Sequence, residues 1–362
     1  MKNYKVLFIS TKAITQNTFF DSFIKKTNFD LTLGCSDILN LRFKKKKLQF
    51  NFANNIFYLL NPIKFFFELL SIRKKINNKF DLIIINNPLA GFYIRLALIL
   101  SNQKIMYFVH GYRFHSAEKN FKSFLFYHLE KFLSKNTNYF ININREDYSV
   151  TNRFFKKKKN KILKLPSVGV DLKKLNKYKY KSKNKKFRIG VIAAYRDNKG
   201  YIELIKISEF LQKDKLNAEI ICYGYDNPSK YQKIIKQKKL KNIFLNSFKK
   251  NIYEEFKKFD ILCHLSKREG LPISILESLC LGVPVICFDI RGNKDLIKNN
   301  FNGFLIKPYD ILSFQNKIYK LLIKKIDIRT IKRNTRNSVY SKHGKDKINK
   351  ELNKFIIHAC KN

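Results

Sequence analysis

Short apolar runs that end in polar or glycine residues recur along the whole chain, separated by stretches long enough for helices. In the first half they are YKVLFIS, FDLTLG, FDLIIIN, KIMYFVH and NYFINI; in the second, FRIGVIAAY, AEIICYG, NIFLNS, FDILCHLS and PVICFDI. A run apolar on both faces belongs to a strand covered on both sides, and amphipathic segments such as FKSFLFYHLEKFLSK supply the cover. The alternation predicts an α/β protein made of parallel sheets with helices on each face. Its 362 residues suffice for two doubly wound, Rossmann-like domains in series.

Between the two series lies KLPSVGVDLKKLNKYKYKSKNKK, with Pro166, Gly169 and a lysine-rich tract, the composition of an interdomain linker. The division falls there, into residues 1–168 and 169–362. The final stretch, KDKINKELNKFIIHACKN, has apolar residues at helical spacing and no strand after it, so it is free to pack back on the first domain. Ligands of open α/β sheets bind beyond the carboxyl ends of the strands, so informative residues are sought at strand ends.

Charge changes the picture. With 74 Lys and Arg against 27 Asp and Glu, the formal net charge is +47. Enrichment in Lys, Asn, Ile, Phe and Tyr together is what an A+T-rich gene imposes, which accounts for part of the excess. The rest favours polyphosphate ligands or an anionic membrane surface. The helix-like NPIKFFFELLSIRKKI, with a thick apolar face and a basic end, is read either as a buried packing helix or as one resting on anionic lipid. No segment reaches the roughly 18 to 20 apolar residues of a membrane span, and MKNYKVLFIST looks like a first strand rather than a signal peptide. A cytoplasmic protein, peripheral on the inner face of the plasma membrane in one reading, is expected. The six cysteines are scattered without C-x-x-C spacing, which predicts reduced, buried thiols and neither a zinc site nor a disulfide framework.

The densest chemistry lies in KREGLPISILESLCLGVPVICFDIRGNKDLI, where Glu269 and Glu277 stand with seven residues between them. In one continuous helix they would lie about 12 Å apart along the axis, beyond the roughly 5 to 5.5 Å of a retaining glycosidase pair. Gly270 and Pro272 predict instead a strand, a loop carrying Glu269, and a helix starting near Pro272 to Ser274 with Glu277 about one turn inside. Both carboxylates then flank a helix amino terminus, a natural diphosphate site, and each can accept two hydroxyl hydrogen bonds. The plainer alternative is an early-helix glutamate favoured by the helix dipole and a solvated loop charge. At other strand ends stand His110 with Gly111, Arg196 and Lys199 in AAYRDNKG, and Gly224 in CYGYDNPS. A guanidinium and an ammonium suit a leaving diphosphate; Gly111 allows close backbone approach. His115 is a weaker candidate than His110. In the first strand-to-helix loop, Ser10, Thr11, Thr15 and Asn17 offer hydroxyls and amides that residue type alone does not rank.

The E-x7-E segment resembles the signature of glycosyltransferase family 4, and the resemblance extends from Arg268 through NNFNGFLI. FDLIIINNPLAGFYIRLALILSNQKIMYFVHGYRFHS, LEKFLSKNTNYFININREDYSV and PSVGVDLKKL are similar to the subgroup that builds bacterial capsular, exopolysaccharide and lipopolysaccharide repeat units. The resemblance implies the GT-B fold, two facing Rossmann-like domains, with an acceptor domain first and a donor domain second. It implies retaining transfer of a hexose or N-acetylhexosamine from a nucleotide diphosphate sugar, UDP-linked by expectation, to a hydroxyl of a lipid-linked or growing glycan. By the same resemblance Glu269 and His110 contact the donor sugar and Glu277 the ribose. Gly111, Gly270, Leu271, Pro272 and Ile273 complete the donor-binding segments, Arg196 and Lys199 take the diphosphate, and Gly224 the base. Many members carry the Arg five residues before the Lys, where this chain has Ala194; here Arg196 stands three before it. No cofactor and no metal are expected, since Asp-x-Asp is absent and the two cations with the helix dipole supply the charge.

Two other classes share some of these features. A GT-B isomerase or 2-epimerase uses UDP-sugars but lacks the EGLP…LESL context. A nucleic-acid-binding protein would use the charge, yet no helix-turn-helix, RNP or zinc motif is present, so no nucleic-acid partner is expected.

Overall fold

The computed structural model describes residues 3–52, 61–114, 120–154, 161–178 and 185–362. They form two compact units, Met1–Gly169 with Lys345–Asn362, and Val170–Gly344.

The first unit is built on seven parallel strands: β1 (Lys5–Ile9), β2 (Asp30–Cys35), β3 (Lys46–Gln49), β4 (Leu82–Ile85), β5 (Ile105–Val109), β6 (Tyr139–Asn142) and β7 (Ile162–Lys164). Their order is β3-β2-β1-β4-β5-β6-β7. Every residue of β4 and β5 is buried, as expected for a central strand clothed by helices on both faces. On one face Leu7, Ile9, Ile83 and Tyr107 share a core with Ile72 and Ile76 of helix Pro62–Ile76 and Tyr93 and Ile94 of helix Pro88–Ala97. Both helices, and Phe121–Ser134, start where an asparagine side chain (Asn61, Asn87, Asn120) accepts a first-turn N–H.

The second unit holds six parallel strands: β8 (Phe187–Ile192), β9 (Ala218–Gly224), β10 (Ile243–Ser247), β11 (Ile261–His264), β12 (Val285–Phe288) and β13 (Gly303–Ile306), in the order β10-β9-β8-β11-β12-β13. Gly190 of β8 lies against Phe259, whose ring a Cβ would meet at 2.1 Å. The chain passes from one unit to the other beside itself. Val170 donates its N–H to the His343 carbonyl (2.8 Å), and helix Lys345–Lys361 then joins the first unit, burying Ile348, Leu352 and Ile356 and pairing Lys345 with Asp21 at 2.8 Å.

Ten of these strands are the apolar runs of the sequence; β3, β7 and β13 are additions. Each is an edge strand of three or four residues, and β3, KKLQ, is almost wholly exposed. β3 pairs through its backbone while its side chains stay in solvent, so it carries no apolar run; β7 and β13 carry apolar runs of only two and three residues, ILK and GFLI, too short to stand out. All six cysteines are free and buried. No described helix is long and apolar enough to cross a membrane.

Candidate active site

In both sheets the strand order reverses at a central pair, β1/β4 and β8/β11, and the loops leaving the carboxyl ends of such a pair open the crevice where open α/β sheets bind ligands. In the second unit those loops touch. Gly200, at φ +79°, opens helix Tyr201–Lys213, and a Cβ there would stand 2.3 Å from the Leu265 carbonyl. Only glycine permits that approach. Lys267 donates its N–H to the Asn198 carbonyl at 2.9 Å.

The approach brings Lys199 Nζ to 2.6 Å from Glu269 Oε1, with both side chains largely buried. His264, the last residue of β11, places Nε2 3.2 Å from the same oxygen, within ion-pair distance but without the in-line geometry of a hydrogen bond. Burial pushes the Glu269 carboxyl up; His264 and the Lys199 ammonium outweigh it and bring it down to about 2. Glu269 is therefore an anion at neutral pH. Its backbone carbonyl accepts from Arg291 Nε at 3.1 Å, and Gly292, at φ +80°, lets the turn after β12 close on the Gly270 carbonyl, which a Cβ would meet at 2.3 Å.

Helix Ile273–Cys280 follows, with Leu271 and Pro272 buried at its start and Ile273 half-buried as its first residue. Proline before the first helical residue stops the strand-side chain and leaves the next N–H groups for a ligand. Glu277 lies one turn in, and Tyr253 donates its hydroxyl to Glu277 Oε1 at 2.8 Å.

Two candidates are placed differently from this cluster. Arg196 is mostly exposed, and its Nε pairs with Asp226 at 2.5 Å, which holds the guanidinium pKa above its ordinary value. Gly224 lies where a Cβ would stand 2.1 Å from the Ala193 carbonyl, so close packing of the ends of β8 and β9 already requires it.

His110 and Gly111 belong to the first unit. His110 follows β5 and hydrogen-bonds through Nε2 to Asn86 Oδ1, which follows β4. Its ring stacks on Phe108 (4.6 Å, 14°) and meets the edge of Phe20 at 5.9 Å. Burial lowers its pKa to about 4, so the imidazole is neutral at physiological pH. Gly111 has φ +122°, in the glycine region. In the loop after β1, Ser10 bonds the Lys12 carbonyl and Gln16, and Thr11 bonds Asn87; Thr15 and Asn17, expected in that loop, lie instead in the short helix Ala13–Phe19, where Asn17 bonds the Asn40 carbonyl and the Arg42 N–H. Ser10 and Thr11 thus shape the loop, and Asn17 ties the helix after it to residues 40–42. His115 lies outside the described residues. Among the described residues no cluster of His, Cys, Asp and Glu is arranged to hold a metal.

Sequence reading missed His264, Tyr253 and Arg291. His264 ends a strand, as His110 does, and the same rule would have found it. Nothing local marks Tyr253 or Arg291; only folding brings them to the glutamates.

Two units, each an open parallel sheet with its order reversed at a central pair and helices on both faces, define the class, a protein of GT-B architecture. Residues 173–338 match the family model "Glycosyl transferases group 1". The chain is a glycosyltransferase, and the group 1 likeness covers its second unit. It is 26% identical over 296 residues to the UDP-Gal:alpha-D-GlcNAc-diphosphoundecaprenol alpha-1,3-galactosyltransferase of Escherichia coli, covering 78% of this chain and 76% of that protein. It is 25% identical to the capsular polysaccharide biosynthesis glycosyltransferase CapM of Staphylococcus aureus, over 97% of this chain and 96% of that one. Among solved structures, Anabaena HepE in complex with UDP and glucose shares the fold at TM-score 0.75 and 16% identity, covering 98% of this chain and 99% of that chain.

Proposed function

We propose that the chain is a family 4, retaining transferase that moves a hexose or N-acetylhexosamine from a UDP-sugar to a hydroxyl of a lipid-linked or growing surface glycan. The observation that carries this reading is the largely buried Lys199–Glu269 pair at the loop entering helix Ile273–Cys280. Glu269 accepts from donor-sugar hydroxyls and Glu277 from the ribose. Lys199 and the free N–H groups at the helix start receive the diphosphate as its charge grows, with Arg196 at the margin. Neutral His110, beside Gly111, offers an uncharged imidazole to the donor sugar. The leaving phosphate helps to deprotonate the acceptor hydroxyl on the same face of the sugar, and no metal or cofactor is needed. The UDP-galactose that the E. coli relative is named for and the UDP bound to HepE support the donor class.

Thermal melting with UDP, GDP and CMP and their sugars tests it. A ligand at 100 times its dissociation constant adds about 2.7 kcal/mol, so UDP-linked compounds are expected to raise the melting point of the native chain and not of Glu277→Ala. A native melting curve unmoved by every nucleotide would reject the donor assignment.

For location, the reading is a peripheral protein on the cytoplasmic face of an anionic membrane. Helix Pro62–Ile76 packs by Phe65, Leu69, Ile72 and Ile76, yet its other face leaves Ile63, Phe66 and Phe67 exposed at 57–68%. Phe121, Phe124 and Leu125 are likewise exposed on helix Phe121–Ser134, with helix Pro88–Ala97 packed against both. Both exposed sets sit in the first halves of helices that run back from the carboxyl edge of the sheet. Lysines 64 and 122 flank them, and the one carboxylate of Phe121–Ser134, Glu130, is buried against Arg95. On helix Pro62–Ile76 the one carboxylate, Glu68, is half-buried beside Phe67; exposed apolar side chains flanked by cations, with both carboxylates partly or wholly withdrawn, suit an anionic bilayer surface. The native chain is expected to sediment with phosphatidylglycerol vesicles at low salt, and Phe66→Ser/Phe67→Ser to remain in the supernatant; equal sedimentation of both would remove the surface.

A further inference from the structure

We infer that Tyr253 is a positioning residue for the nucleotide, acting through Glu277. The inference rests on the assignment of Glu277 to the ribose. A glutamate one turn into a helix ordinarily samples several rotamers, and a ligand must then order it on binding. Here the side chain is held before any ligand arrives, because the Tyr253 hydroxyl donates to Glu277 Oε1 at 2.8 Å. Tyr253 is itself fixed from several directions. Its ring lies 5.5 Å from that of Tyr178 and near-parallel to that of Phe256 (6.5 Å, 21°), and the Lys174 ammonium sits 5.0 Å over it. Tyr178 in turn donates its hydroxyl to Asn251 Oδ1 at 3.1 Å and carries the Lys257 ammonium 5.5 Å over its ring.

An aromatic bracket from residues 174–178 and 251–257 thus presents one hydroxyl to one carboxylate. Burial, and then the Glu277 carboxylate, push the phenol pKa up, so the group stays a donor throughout the working pH range. Tyr253 touches no reacting atom; its effect is on affinity through orientation.

The test is titration calorimetry on the full chain with whichever of UDP, GDP and ADP binds the native protein most tightly, and with its 2′,3′-dideoxy analogue. Native, Tyr253→Phe, Glu277→Ala and the double variant are compared. Phenylalanine keeps the ring and its packing and removes only the hydroxyl. The inference expects Tyr253→Phe to raise Kd for the ribonucleotide about tenfold, to change Kd for the dideoxy analogue little, and to add nothing in the Glu277→Ala background. If the native protein discriminates between the two nucleotides but Tyr253→Phe binds the ribonucleotide as tightly as native, the inference is overturned while the ribose assignment stands. Equal weakening towards both nucleotides would make Tyr253 a packing residue and also overturn it. If the native protein binds both equally, or binds none of the three diphosphates, the ribose assignment fails and the inference falls with it.

Discussion

Replacing Lys199 by alanine is expected to lower turnover about 10²- to 10³-fold, the cost typical of removing one group that stabilises developing charge. The ammonium sits 2.6 Å from Glu269 Oε1 with 22% of its side chain exposed, so little solvent screens it. Arginine should not restore the rate, because its planar fork cannot occupy the place of a compact ammonium. Loss of Lys199 also removes one of the two partners that hold the Glu269 carboxyl down, so that carboxyl rises from about 2 and the variant loses stability as well as rate. The two losses separate in a second variant. Lys199→Ala/Glu269→Gln is expected to regain stability, since no buried anion remains to be paired, while staying inactive. Steady-state rates and melting points of the three proteins check this; Lys199→Ala turnover within tenfold of native would take the diphosphate role from Lys199.

The second large effect concerns stability in the first unit. Arg95 is completely buried, its Nη2 bonds Glu130 Oε2 at 2.8 Å, its Nε donates to the Gly91 carbonyl at 2.9 Å, and its guanidinium lies 4.2 Å from the centre of the Tyr107 ring. Burial pulls the Arg95 pKa down, and the Glu130 carboxylate outweighs it and holds the pKa up. Glu130→Ala leaves that cation without its counter-charge and is expected to cost about 3 to 5 kcal/mol. Replacing both partners by apolar residues, Arg95→Met/Glu130→Leu, is expected to recover most of the loss, because neither charge then has to be desolvated. Circular dichroism during urea titration serves as the measure, as the chain has no tryptophan. A Glu130→Ala protein as stable as native would mean that water reaches Arg95.

Both cases depend on contacts between segments far apart in the chain, and this sets how much of the molecule its sequence discloses. Strands such as LIII at Leu82–Ile85 and VICF at Val285–Phe288 are legible because burial on both faces demands an unbroken apolar run, a demand met within a few residues. β3, KKLQ, escapes the same reading because its side chains stay in solvent and only its backbone pairs. Pro272 and Gly270 likewise announce the turn into helix Ile273–Cys280, since each restricts or frees its own backbone.

The sequence by itself determined ten strands in two series and the turn from Glu269 into helix Ile273–Cys280, because periodicity, glycine and proline act over a few residues. Only the tertiary structure decided that Lys199 meets Glu269, that Arg196 turns to Asp226, and that Tyr253 reaches Glu277. Those pairings depend on which strands become neighbours, as when the reversal of order between β8 and β11 brings two loops together. The physical reason is that a hydrogen bond or an ion pair acts over about 3 Å, whereas these partners stand 70, 30 and 24 residues apart along the chain.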